Sequence, residues 1–399
     1  MNSTTDHSAE GPAPEPPPAQ VPPPAEPETI RRRGKRYQRI RAALSAVDWG
    51  LEVLLLFALL DFGWTLRLRD VAERQTDNPW LVVLLYLLPL GLVFGAISMA
   101  FSAIRTFVVD RRFGLSNESF GGWLLDQAKS FAVGGALAFI LIEILYAMLR
   151  AFPATWWLWT AAVFSLLLIF FAHVAPVLIF PIFFKFRPIA DEEITGRLKR
   201  LAERAGTRIK GIYEVNFSRK TRAANAALVG FGRTRRIILA DNLLDRFSLD
   251  EIETVIAHEL AHHTQRHLPK GMLLQTAMFF VLFYGIHLVL VHVGPRFGFE
   301  RLDDAANFPL VTLAGTIFGL VLLPLTNGIL RRFEREADAY ALRMATRPEA
   351  FLAALKRLAQ INLADPTPNA IVEWIFYSHP SIRNRLRMAE TMLEDKKGP

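Results

Sequence analysis

Apolar residues gather in six long runs along the chain, at about 47–64, 80–101, 131–149, 156–183, 271–293 and 308–330. A helix needs about 20 apolar residues to cross about 30 Å of hydrocarbon, and most of these runs are that long. The pattern therefore predicts a mainly α-helical protein that spans a membrane several times. The first run is the weakest, because Asp48, Glu52 and Asp61 interrupt it. The fourth is longer than required and carries His173, Pro176 and Pro181, so it is expected to kink or to leave the membrane early. Glu143, His173 and His287 fall inside runs, and facing lipid would be costly for them. They are expected to face a cavity or a partner side chain.

Between 188 and 270 the pattern changes to that of a folded polar unit with a small β-sheet. Residues 190–205 read as an amphipathic helix with Ile194, Leu198 and Leu201 on one face. Ile212 to Val215 reads as a strand, and Ala223 to Val229 with Arg236 to Ala240 flank Gly230-Phe231-Gly232-Arg233 as a hairpin. Ser248 precedes a helix whose first turns hold Asp250, Glu251 and Glu253, matching the preferences of a helix start.

Charge orients the runs. Seven basic residues lie between Arg31 and Arg41, just before the first run. Beside a membrane span such a cluster sets topology, and no aromatic-basic binding module follows it, so nucleic acid is not an expected partner. With 31–46 as a cytoplasmic basic segment, 65–79 falls outside and 102–130, with Arg105, Arg111, Arg112 and Lys129, falls inside. The connection 150–155 is outside, 184–270 inside, 294–307 with Glu300, Asp303 and Asp304 outside, and 331–399 inside. The expected organisation is a four-span region at 47–187, a soluble domain split between 188–270 and 331–399, and a membrane hairpin at 271–330. Residues 1–30 hold nine of the 24 prolines and no large apolar cluster; such a segment is expected to be disordered.

Chemistry enters with His258-Glu259-Leu260-Ala261-His262. Histidines four apart share one helix face and can bind one metal ion, with the glutamate placed to take a proton from water. The chain has no cysteine, so a metal here must use histidine and carboxylate ligands. A third ligand is needed. On a continuous helix at about 100° per residue, His267 lies about 180° and His263 about 140° from His258, so neither joins the pair; both read as polar-face residues. The missing ligand is expected from a second helix. Arg331-Arg332-Phe333-Glu334-Arg335-Glu336-Ala337-Asp338 follows the sixth run and sets Glu334 and Asp338 on one face. One can bind metal while the other fixes a ligand imidazole. On spacing alone, a solvated charged helix is an equal reading.

These motifs, in order with Tyr377-Ser378-His379-Pro380-Ser381-Ile382-Arg383-Asn384-Arg385-Leu386, resemble the type 1 CAAX prenyl endopeptidases. These are integral-membrane zinc metalloproteases related to the stress-induced bacterial membrane proteases. The resemblance covers roughly 90–399, including Arg105 to Phe120 and Ala224-Asn225-Ala226 to Leu244. It implies His258, His262 and Glu334 as ligands of one zinc ion per chain, Glu259 as general base, and Asp338 as support for a ligand histidine. It also implies His379 and Arg385 as a substrate-facing pair, and Asn225 with Ala226 as the segment that holds substrate backbone as an added strand. Two departures stand out. Arg335 replaces an aromatic residue common in the family motif, and eukaryotic members have an additional span before the matched region, which bears on whether the family's helical chamber closes here.

The expectation is a zincin-like metalloprotease domain on the cytoplasmic side of a multi-span protein, hydrolysing peptide bonds by zinc-activated water. The substrate would be a peptide or protein, with a prenylated C-terminus in the nearest resemblance and misfolded membrane proteins as the competitor. A non-catalytic scaffold, or a transporter with a structural metal, is the rival of another class; the intact ligand set and Glu259 argue against it, because a structural zinc site would normally be closed by a fourth protein ligand. A bacterial cytoplasmic membrane is the expected location.

Overall fold

The computed structural model describes residues 27–230 and 232–397. Its helices are α1 (Pro27–Asp61), α2 (Trp64–Glu73), α3 (Pro79–Ala103), α4 (Phe120–Ala151), α5 (Trp156–Val174) and α6 (Phe180–Phe183). A polar unit follows, with β1 (Phe186–Pro188), α7 (Glu192–Arg204), β2 (Gly211–Val215), β3 (Ala226–Val229), β4 (Arg236–Ala240), α8 (Asp241–Leu244) and α9 (Leu249–Thr264). The chain ends with α10 (His267–His292), α11 (Phe308–Met344), α12 (Ala350–Ile361), α13 (Ala370–Phe376) and α14 (Ile382–Lys397).

Among the described residues, six helices are long and apolar enough to cross a membrane, one for each apolar run. Their ends shift in informative ways. The basic cluster is not a separate segment but the first turns of α1, and residues 27–30 already belong to that helix. The earlier part of the proline-rich tail lies outside the described residues. The fourth span passes through a π-helical stretch at Ala175–Ile179, where Pro176 denies the ladder a donor.

Neighbour contacts run α1–α3–α4–α5–α10–α11 and back to α1, so the six spans close a ring. Six helices thus suffice to close it. At one end, Leu56, Tyr86, Tyr146, Trp156, Phe283 and Leu310 form an apolar core. There Thr65 donates to the Ala306 carbonyl, and Tyr146 bonds Asn307 at 2.9 Å. Of the three polar groups expected to face a cavity or a partner, Glu143 lies 3.6 Å from Arg150 and His287 Nδ1 accepts from Trp156 at 3.1 Å, whereas His173 is exposed and bonds the Ile169 carbonyl of its own helix.

The polar unit sits at the other end. Its sheet has the order β1-β2-β4-β3, with β2 and β4 parallel and the outer pairs antiparallel. The expected hairpin is β3–β4, with Leu228 opposite Ile237; the short edge strand β1 had no period-2 signal to betray it. Leu198 and Leu201 of α7 pack under the sheet as their spacing predicted. The same core takes Ile252, Ile256 and Leu260 from α9, Leu342 from α11, Phe351 from α12 and Ala389 from α14. Residues before and after the α10–α11 hairpin therefore share one hydrophobic core.

Candidate metal centre

α9 carries the pentapeptide, and its start is fixed by a capping box: Glu251 N–H donates to Ser248 Oγ, and Ser248 N–H to the Glu251 carboxylate at 2.8 Å. Three apolar residues one turn apart hold the opposite face in the core, which aims His258 and His262 together at α11. Glu253, buried beside them, is clamped by Arg197 and Arg204 of α7.

The two Nε2 atoms of His258 and His262 lie 3.3 Å apart. Glu334 brings Oε2 to 3.3 Å from His258 Nε2 and Oε1 to 3.5 Å from His262 Nε2. Two imidazoles and a carboxylate meeting this closely leave lone pairs facing one another unless a cation or a proton lies between them. Among the described residues this trio is the group that could hold a metal ion. Glu334 Oε2 is buried and makes no hydrogen bond. A tetrahedral ion with bonds of about 2.0 Å places its ligand atoms about 3.3 Å apart, so the donor set fits in both chemistry and spacing. The reading of Arg331–Asp338 as a merely solvated helix falls, since Glu334 and Asp338 are both buried.

Each histidine of the trio is held from behind. His258 Nδ1 is 2.9 Å from Asp338 Oδ1, and Arg385 grips both oxygens of that fully buried carboxylate. Burial alone would lower the His258 pKa, but Asp338 and Glu334 outweigh it and push it up to about 9 in the metal-free site. His262 is lowered to about 4 by burial and by the charge of His258.

His267 does not behave as the continuous-helix geometry required. α9 stops at Thr264, and Arg266 adopts a left-handed conformation (φ 57°), so His267 opens a new helix, α10. It is buried rather than on a polar face, with Nδ1 3.1 Å from His262 Nδ1. The signal was Pro269: it lacks an N–H for the helical ladder, and such a residue belongs to a first turn. His263 remains outside the trio and bonds the Leu228 carbonyl at 3.1 Å.

Glu259 points into a cavity of about 290 Å³. Asn225, Ala226, His379 and Arg385 line it, with Phe351, Leu355 and Ile382 as an apolar wall. Burial raises the Glu259 pKa, and the nearby Glu334 charge adds to the rise against the pull of His258. His379 Nε2 lies 3.3 Å from Glu334 Oε1, and its Nδ1 is 2.9 Å from Ser378 Oγ. Asn225 and Ala226 stand at the start of the edge strand β3. Because the Asn225 carbonyl accepts from Ala240 on β4, Ala226 turns its backbone away from the sheet. Both backbone groups of Ala224 are taken by the Asn362 amide, which closes the edge just before Ala226.

Residues 188–393, just over half of the chain, match the model of peptidase family M48. Residues 13–185 match a model described as CAAX prenyl protease N-terminal, five membrane helices; four of the six candidate spans fall in this region among the described residues. The chain is 27% identical to an uncharacterized metalloprotease, YhfN, of Bacillus subtilis, over 89% of this chain and 84% of that one. It is 29% identical to CAAX prenyl protease 1 of Saccharomyces cerevisiae, over 75% of this chain and 70% of that one. The crystal structure of S. mikatae Ste24p superposes with a TM-score of 0.81 at 22% identity, covering 94% of this chain and 92% of that one.

Proposed function

We propose that this chain, which belongs to peptidase family M48 and is an integral-membrane metalloprotease, uses a zinc ion on His258, His262 and Glu334 to cleave prenylated C-terminal peptides at the cytoplasmic face of a bacterial inner membrane. The observation that carries the reading is the convergence of those three side chains beside Glu259 and a cavity, in a chain whose six apolar helices close a ring. Nitrogen and carboxylate donors without thiolate suit zinc in a hydrolytic site. Bound there, zinc would polarise the scissile carbonyl and make a water more acidic.

The chain's own groups supply the rest. Glu259, its affinity for protons raised by burial, takes a proton from the attacking water and delivers it to the leaving nitrogen as the C–N bond breaks. If Ser378 donates its hydroxyl proton to His379 Nδ1, the His379 Nε2–H faces the site and can stabilise the oxyanion of the tetrahedral transition state. Ala226 turns its carbonyl outward at the open end of β3 toward a substrate backbone laid along that edge, while its N–H, now donated to Asn225 Oδ1 at 2.9 Å, would exchange that side chain for the substrate. Arg385, lining the same cavity, completes the pocket while it holds Asp338. Residues 188–270 and 331–399 act as the two halves of the catalytic domain.

Two observations support the orientation and the substrate. The basic cluster of α1 lies at the site end, where Gln38 donates to the Leu363 carbonyl and Arg31 to Thr367, and positive charge favours the cytoplasmic side. The acidic Glu300, Asp303 and Asp304 lie at the opposite end, between α10 and α11. A ring of apolar helices in the same chain as a peptide-cleaving site suits a substrate that carries a lipid tail, and the yeast and Arabidopsis relatives are named CAAX prenyl protease 1 and its homolog. The test is cleavage of one peptide with and without its prenyl group by purified protein, with Glu259→Gln as control. Faster cleavage of the prenylated form is expected. Equal rates would sink prenyl specificity and favour a general membrane protease.

A further inference from the structure

His267 and Glu336 form a second line of contacts behind the site that parallels Asp338 and Arg385. His262 turns Nε2 toward Glu334 and His258, so with a metal ion held there by its Nε2 lone pair the ring proton belongs on Nδ1. That Nδ1 meets His267 Nδ1 at 3.1 Å, which makes His262 the donor and His267 the acceptor. The proton of His267 then sits on Nε2, which lies 3.0 Å from Glu336 Oε2. One tautomer assignment satisfies every contact in the line.

The ring of His267 has little freedom to leave this arrangement. It stacks on Phe333 at 4.5 Å with 7° between planes, and the break at Arg266 turns it back over the end of α9. Glu336 is anchored from its other oxygen by Arg332 at 3.0 Å. Phe333, Glu334 and Glu336 are consecutive or near-consecutive on α11, so one turn of that helix supplies a candidate ligand, the stacking partner and the terminal carboxylate.

We propose that His267 is a positioning residue for the metal: it fixes the tautomer and plane of His262, with Glu336 fixing His267 in turn. This rests on the reading that His262 ligates the ion. The two histidines of the pentapeptide are thus oriented by different means, His258 by a carboxylate directly and His262 through an imidazole. Outer partners of this kind typically contribute about 10–100-fold to metal affinity.

The experiment measures zinc affinity of the full-length, detergent-purified protein by competition with a chromogenic chelator, beside the thermal midpoint of the metal-free protein. His267→Phe keeps the volume and the stack on Phe333 but has no acceptor; its zinc affinity should fall by about 10–100-fold. His267→Asn places Oδ1 near the position of the lost Nδ1 and should hold zinc far better than the Phe variant. A Phe variant that binds like wild type, or an Asn variant as weak as Phe with an unchanged metal-free midpoint, overturns the proposal. Should the Phe variant fail to fold, Glu336→Leu on the accessible side of α11 serves instead. It should weaken zinc binding, and wild-type affinity would overturn the proposal. Wild-type protein that binds no zinc would overturn the reading of the site itself, and this inference with it.

Discussion

Arg385 holds Asp338 by two parallel hydrogen bonds, Nε to Oδ2 at 2.8 Å and Nη2 to Oδ1 at 2.6 Å, and so reaches His258 through a carboxylate. The resemblance implied that Arg385 faces substrate; the structure gives its guanidinium a partner inside the protein as well as a place in the cavity wall. The two roles separate on substitution. Arg385→Lys cannot reproduce the planar fork. If it acts through Asp338, zinc affinity should fall by roughly tenfold, as for other outer partners. A rise in KM with unchanged metal content would instead assign Arg385 to substrate alone.

Glu259→Gln should keep the metal and lose the reaction. The residue lies outside the candidate metal trio, so zinc content should match wild type, while kcat falls by about 10²–10⁴-fold. Metal analysis beside single-turnover peptide cleavage checks both halves. A variant with full activity would remove Glu259 from the mechanism.

The pH dependence follows from His258. Its pKa in the metal-free folded protein is about 9, above the ordinary value of 6.5, because Asp338 and Glu334 outweigh the opposing effect of burial. A raised histidine pKa stabilises the folded state fully below about 6.5, and that contribution is lost as pH climbs through about 9. The thermal midpoint of metal-free protein should therefore decline across that window. His262, lowered to about 4, is neutral throughout it and adds nothing there. Zinc must displace the His258 proton, so its affinity should rise by up to roughly tenfold per pH unit over the same range. Titration of the apoprotein at pH 7, 8 and 9 reads this directly; a flat affinity would contradict the assignment.

Ser248→Ala should separate stability from chemistry. It removes the side-chain half of the capping box at the start of α9, for about 1 kcal/mol. Thermal unfolding should shift downward, while zinc affinity and kcat at low temperature stay near wild type, because His258 lies more than two turns further along the helix.

Much of this protein was determined by sequence alone, because the deciding physics is local. Six apolar runs meet the length a bilayer demands, and Leu198 with Leu201 follow helix periodicity into the core. Two histidines four apart share a face on any helix. What the sequence could not settle were matters of distance in space. Spacing left Glu334 and Asp338 equal between ligand and solvated charge until α11 packed against α9 and buried both. Ring closure by six spans depends on which helices touch, which hydropathy does not encode. His267 was misplaced because helix geometry was extended through residue 266, where a left-handed φ and the following Pro269 reset its direction. Pro269 marked a helix start locally, but only the tertiary structure decided that the histidine at the head of that helix would lie against His262, the residue it had been excluded from joining.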